Sequence, residues 1–166
     1  MSYDGRAVAN FVLDTCKADG REITNLSLQK IVYFCHVWSL VKLKKPLVKQ
    51  KFEAWQFGPV LQYLYREFKE FERNPITSRA RRLNHSTGEL EVVPYEFDED
   101  TERLLRNVVD TYSSISAGNL VRISHASGSP WDEVWNHDNK VNPGMVIEND
   151  AIHKYYSRTG DFILSQ

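Results

Sequence analysis

The sequence predicts a mainly α-helical fold with a small β-hairpin, built as a compact single domain around a central buried helix. Apolar residues recur at the spacing of amphipathic helices over most of the chain. One segment, residues 28–41, is apolar around most of its circumference, as the central helix of a domain is. A length of 166 residues is usual for one domain, so we expect a single domain over residues 1–166.

The first helix is predicted to begin after Asp4 and to end at Gly20, since glycine readily adopts a left-handed cap conformation. Its apolar residues have helical spacing: Ala7, Val8, Phe11, Val12 and Cys16.

The second helix is predicted to begin after Ser27, a favourable N-cap residue, and to run to about Leu43. Its polar side chains fall on one narrow side with Tyr33: Gln29, Lys30 and His36. We expect that side to reach the surface of the protein.

A short strand is predicted over residues 51–57, where large apolar residues alternate with polar or small ones. Gly58 and Pro59 close it, and proline is well tolerated at the first position of a helix. We therefore expect the third helix to start at Pro59 and to bury these residues: Leu61, Leu64, Tyr65, Phe68 and Phe71.

A β-hairpin is predicted between Arg79 and Phe97, because turn-forming residues 84–88 separate two short segments and the second alternates with period two. The acidic residues 98–100 suit the positive end of a fourth helix. That helix has an apolar stripe: Leu104, Leu105, Val108, Val109 and Tyr112.

The rest of the chain is predicted to be helical with one loop. Ser116 is a suitable cap for a fifth helix, and Pro130 opens a short turn that places Trp131 and Trp135 one helical turn apart. Residues 136–144 are predicted to form a loop, and residues 150–158 a last short helix.

The composition argues against some classes of function. The formal net charge is -1, so no strong overall field attracts the chain to nucleic acid, which makes nucleic acid a disfavoured partner. Cys16 and Cys35 lie among apolar residues and are interpreted as buried thiols in a reducing compartment. No apolar run approaches the ~20 residues of a membrane helix, so we expect a cytoplasmic protein without membrane contact.

Familiar catalytic and cofactor motifs are absent from the sequence, and we predict no catalytic, metal-binding or cofactor-binding residue. His36 and His125 are interpreted as structural, with a ring nitrogen of His125 tying the following loop to the body. Glu53 lies among aromatic residues, where a carboxylate must be solvated, paired or protonated, and Lys30 is its candidate partner.

Large aromatic residues outnumber the needs of a small core, and such residues anchor many protein interfaces. The predicted hairpin and the aromatic turn after Pro130 are candidate partner-binding surfaces. The candidate partner-binding residues are Phe57, Tyr63, Arg81, Arg82, Trp131 and Trp135.

Several segments in this order resemble the Panacea domain, the family of SocA-like (phage-associated, GepA-like) antitoxins, over residues 5–135. They are residues 27–34 with His36, residues 46–47, residues 52–60 with 64–65 and Phe68, then Leu120, residues 124–125 and residues 130–131. The matching residues, which we interpret as mainly structural, are Leu28, Lys30, Tyr33, His36, Phe52, Glu53, Ala54, Trp55, Gly58, Pro59, Tyr65, His125, Pro130 and Trp131.

The resemblance implies a helical antitoxin that neutralises a cognate toxin by direct contact, and no enzymatic activity or cofactor. The toxin is expected from a neighbouring gene. The founding SocA type also implies a possible adaptor role, in which the toxin is delivered to a ClpXP-type protease.

Two alternatives remain open from the residues alone. The turn-rich residues 20–25 between two helices and the arginines near the hairpin are compatible with a nucleic-acid-binding regulator. A small metal-dependent hydrolase could be assembled from His36, His125 and Glu53.

Overall fold

Helix α2 (Asn25–Trp38) lies at the centre of the fold, and each residue from Leu28 to Trp38 is buried. The computed structural model describes residues 2–136 and 145–159. Around α2 pack the helices α1 (Gly5–Ala18), α3 (Gln62–Phe68), α4 (Glu99–Ser113), α5 (Ala117–Ser124) and α7 (Asn149–Thr159). The prediction of a mainly helical fold with a central buried helix is thus confirmed.

The start of α2 differs from the prediction. Its N-cap is Thr24, whose side chain accepts a hydrogen bond from the Ser27 N–H at 3.3 Å. Ser27 therefore lies inside the first turn, because the buried Asn25 already belongs to the helix. At its other end α2 continues as a π-helical turn, Ser39–Leu43, which agrees with the predicted end.

The expectation that one side of α2 reaches the surface is wrong. Gln29, Lys30, Tyr33 and His36 are each at most 1% exposed. The chain segment 48–61 covers this side, and Gln29, Lys30 and His36 form hydrogen bonds to the main chain of that segment. The buried Tyr33 hydroxyl has no hydrogen-bond partner among the described residues.

A three-stranded antiparallel sheet lies against α2, with the strand order β2-β1-β5. Its strands are β1 (Phe52–Trp55), β2 (Gly58–Val60) and β5 (Val146–Ile147). The predicted helix start at Pro59 is therefore wrong, since Pro59 pairs with Ala54 on an edge strand, where proline is tolerated. Helix α3 begins at Gln62, and a short 3-10 turn, Lys69–Phe71, extends it.

The predicted stripe of α3 is confirmed in part. Leu61, Leu64 and Phe68 are buried, whereas Tyr65 and Phe71 are only half-buried. The helix is short, so its last predicted positions lie near the protein surface.

The predicted β-hairpin is confirmed. It consists of β3 (Arg81–Leu83) and β4 (Leu90–Val92), paired antiparallel. The side chain of Asn10 in α1 binds the residues at the open end of the hairpin, which we call its base. The amide nitrogen donates to the Ala80 and Val93 carbonyls at 3.0 and 2.9 Å. The amide oxygen accepts from the Ala80 N–H at 2.8 Å.

Helix α4 buries its predicted stripe and begins at the predicted acidic residues, and α5 has its predicted cap, Ser116. Asp98 caps α4 and Ser116 caps α5, each accepting from a backbone N–H three residues later. Pro130 is the first residue of α6 (Pro130–Trp135), as its preference for that position predicts. The predicted loop 136–144 lies outside the described residues except for Asn136.

Both cysteines are buried and free, as expected from their apolar neighbours. Burial raises the pKa of the Cys16 and Cys35 thiols. Within the described ranges, no helix combines the length and the apolar character that a membrane crossing requires.

Replacing Asn10 by Ala should destabilise the protein, because the three hydrogen bonds from its side chain to buried backbone groups at the base of the hairpin would be lost. We expect the free energy of unfolding to fall by about 3 kcal/mol, measured by urea denaturation. The matched control is Asn107→Ala on the exposed side of α4, which should change stability little. Equal effects of the two substitutions would contradict this role of Asn10.

Candidate functional site

The polar side chains of α2 bind the main chain of the segment that covers them. The Gln29 side-chain oxygen accepts from the Leu61 N–H (3.2 Å), the Lys30 amine donates to the Pro59 carbonyl (2.9 Å), and His36 Nδ1 accepts from the Val48 N–H (3.1 Å). Each bond satisfies a buried group that could not otherwise reach water. Together these bonds fix the β1–β2 pair on the central helix.

Lys30 is the most unusual of these residues because its amine is fully buried. Removal from water disfavours the charged form and lowers the pKa of Lys30 to about 7. Gly58 lies directly against it with φ +113°, and a Cβ atom there would come within 2.6 Å of Lys30 Cε. Glycine is thus required at position 58 both by backbone conformation and by space.

The predicted pairing of Glu53 with Lys30 is not what the structure has. Glu53 Oε1 accepts a hydrogen bond from Trp55 Nε1 at 2.9 Å, on the half-buried side of β1. The Lys30 amine instead donates its hydrogen bond to a backbone carbonyl of β2, which is an uncharged acceptor.

Trp131 joins α6 to β1. Its indole N–H donates to the Trp55 carbonyl at 2.7 Å, and its ring stacks on that of His125 with centroids 3.8 Å apart. His125 therefore ties this region together by stacking, whereas its Nε2 has no hydrogen-bond partner among the described residues. Burial lowers the pKa of His125, and the nearby Lys30 acts in the same direction.

These contacts bring residues of the Panacea-like motif, from four separate chain segments, into one place. We call this cluster the Lys30 junction; it comprises Lys30, Trp55, Gly58, Pro59, His125 and Trp131. The junction is built from hydrogen bonds, ring stacking and close backbone approach. These are the contacts of a structural element, which fits our interpretation of the motif.

The other residues of the Panacea-like motif lie in or beside the core. Leu28, Tyr33, Phe52, Ala54 and Pro130 are buried. Tyr65 is half-buried, and its ring packs edge-on against that of Trp55 at 5.3 Å.

His36 binds groups on two sides of α2. Besides the Val48 N–H, its Nε2 lies 2.8 Å from the Asn149 side-chain oxygen at the start of α7. Burial lowers the pKa of His36 to about 4, so the ring is neutral near pH 7.

The metal-enzyme alternative needs His36, His125 and Glu53 to act together, but each of the three has its own separate contacts. In the part of the chain that the structure describes, no group of three or more His, Cys, Asp or Glu side chains is placed to hold a metal ion.

The candidate partner-binding aromatic residues differ widely in exposure. Trp131 is only 6% exposed, so its assignment to a partner surface is not supported. Tyr63 is half-buried, and its hydroxyl donates to Asp4 at the start of α1. Phe57 and Trp135 are 57% and 40% exposed and remain available for contact.

A pocket of ≈ 370 Å³ opens beside the Lys30 junction. Its walls are mostly apolar and include Leu26, Phe57 and Val60. Because its walls are mostly apolar, such a pocket suits an apolar side chain of another protein. Phe57 stands exposed at its rim.

The hairpin, predicted as a candidate partner-binding surface, is a second exposed apolar surface, and the sequence analysis did not identify its aliphatic residues. Leu83, Leu90 and Val92 are 49%, 59% and 54% exposed and lie with Arg81 on one side, which we call the outer face. Arg82 and Glu91 form an ion pair at 3.0 Å on the opposite side. The alternation of residues 89–93 was the available signal, but alternation does not reveal which side is covered.

The chain was compared with known proteins. The family described as "Antitoxin SocA-like, Panacea domain" matches residues 28–132. Antitoxin SocA of Caulobacter vibrioides (strain NA1000 / CB15N) is 42% identical over 136 residues, which cover 82% of this chain and 72% of that protein. No solved structure matches the chain significantly.

Lys30 should make stability depend on pH. The amine has its ordinary pKa of 10.5 in the unfolded chain and about 7 in the folded one, so the unfolded state binds more protons between these values. The free energy of unfolding should therefore rise with pH, by up to about 1.4 kcal/mol per pH unit from this group.

Urea denaturation between about pH 7 and pH 8.5 measures this slope, and Lys30→Met should remove it. The matched control is Lys69→Met, which changes an exposed lysine of the neighbouring pocket and should keep the wild-type slope. An unchanged slope in Lys30→Met would show that the amine titrates normally in the folded protein.

Proposed function

This chain belongs to the family of SocA-like antitoxins with a Panacea domain, and we propose that it neutralises a cognate toxin by binding it directly. The observation that carries the proposal is its similarity to antitoxin SocA over most of both chains. We place the toxin in a neighbouring gene, as the family resemblance implies.

The distribution of polar and apolar side chains supports binding over catalysis. Lys30 and His36 are buried and hold main-chain groups, and Glu53 is held by Trp55. Large apolar side chains stand exposed on the outer face of the hairpin and at Phe57. Exposed apolar clusters of this kind are typical of protein-binding surfaces.

Co-expression with the product of the adjacent reading frame tests this proposal. We expect that product alone to stop growth, and this chain to restore growth and to co-purify with it in a stoichiometric complex. Growth curves and size-exclusion chromatography with light scattering measure the two effects. If growth stays arrested and no complex forms, the proposed function is wrong.

Delivery of the bound toxin to a ClpXP-type protease is a second candidate function, which the family resemblance implies. Delivery and simple capture predict different lifetimes of the toxin. Under delivery, the toxin should decay faster when both this chain and the protease are present than when either is missing. Pulse-chase labelling in cells with and without the protease measures this, and an equal lifetime in all strains would exclude delivery.

A further inference from the structure

The outer face of the hairpin is one continuous surface. Leu83 pairs with Leu90 and Arg81 with Val92 across the two strands, so the four side chains are neighbours. The three aliphatic residues are about half-exposed or more, although a two-stranded hairpin gains little stability from apolar side chains left in water.

One edge of this hairpin is also open. The Asn84 N–H donates to the Glu89 carbonyl (2.8 Å), and the Val93 N–H donates to the Ala80 carbonyl (3.0 Å). In an antiparallel ladder, hydrogen-bonded residue pairs alternate with pairs that are not hydrogen-bonded, so Leu83–Leu90 and Arg81–Val92 are pairs of the second kind. The main-chain groups of Leu90 therefore point away from β3, as do those of Val92. Over residues 2–136 and 145–159, no hydrogen bond to these outward groups is found.

The edge of β3 is different because its main-chain groups at Arg81 are already bonded. The Arg81 N–H donates to Glu67 Oε1 at 3.0 Å, and the Arg81 carbonyl accepts from the Arg6 guanidinium at 3.4 Å. Strand addition is therefore directed to β4.

The outer face carries one positively charged side chain, Arg81, that forms no ion pair with another described residue. Arg79 pairs with Asp14 and Arg82 with Glu91, whereas the Arg81 guanidinium has no ion pair with any described residue. A complementary surface is aliphatic and bears a carboxylate. A second copy of this chain does not meet that requirement, because the four outer-face residues include no acidic one.

We propose that the β4 edge and the outer face are where the toxin docks: an extended, aliphatic toxin segment bearing an Asp or Glu adds to β4 and covers Leu83, Leu90 and Val92. Main-chain hydrogen bonds to β4 would hold the segment, and the outer face with Arg81 would select its side chains. This assignment rests on the proposed antitoxin function.

The double substitution Leu83→Thr with Leu90→Thr tests the face, since threonine keeps the strand preference but removes apolar contact. Affinity for the purified product of the adjacent reading frame, measured by calorimetry, should fall about tenfold or more. The matched control, Arg82→Gln with Glu91→Gln on the opposite side of the same strands, should stay within about twofold. Circular dichroism and thermal melting verify that both variants fold.

Hydrogen exchange on the wild-type complex tests the edge without any substitution. The Leu90 and Val92 amides should exchange more slowly once the toxin is bound. If the wild type binds and neither the double substitution nor exchange responds, the docking assignment is wrong and the antitoxin function stands. If the wild type neither binds nor rescues growth, the antitoxin function is wrong and the docking assignment falls with it.

Discussion

The burial of α2 from Leu28 to Trp38 is the constraint on which the rest of this structure depends. A helix that is covered on every side must satisfy its own polar side chains internally, and Gln29, Lys30 and His36 do so through main-chain groups of residues 48–61. These bonds determine where the β1–β2 pair lies and leave no room for a side chain at Gly58. The motif shared with the SocA-like family therefore has a physical explanation as a way of attaching a strand pair to a buried helix.

Of the two surfaces open to a partner, the hairpin lies away from this network and the pocket at Phe57 adjoins it. The hairpin is held at its base by Asn10, whereas its outer face points away from the helical core. Phe57 lies at the turn between β1 and β2, beside the pocket next to the Lys30 junction. An antitoxin acts by presenting a surface, so a rigid interior with apolar groups at its margins suits the proposed function.

Much of the fold could be predicted from the sequence, because local patterns determine it: the stripe of α4, the acidic residues at its start, the cap Ser116, and the alternation of the β3–β4 hairpin. Some errors are local, such as the N-cap of α2 and the strand position of Pro59, but the errors at the candidate site concern residues whose partners are distant in the chain. Lys30 bonds to a carbonyl 29 residues away, and nothing in local spacing distinguishes that partner from Glu53. Likewise, alternation identified the hairpin strands but not which of their two sides is covered.

The attachment of the hairpin has a consequence for how relatives could diverge. Asn10 recognises main-chain atoms of Ala80 and Val93, so its bonds do not depend on which side chains follow at residues 81–92. Those residues can be exchanged, or the turn between them lengthened, with little penalty to the helical interior. New partner preferences could then evolve by substitution in one short segment, while the scaffold stays under separate and stricter selection.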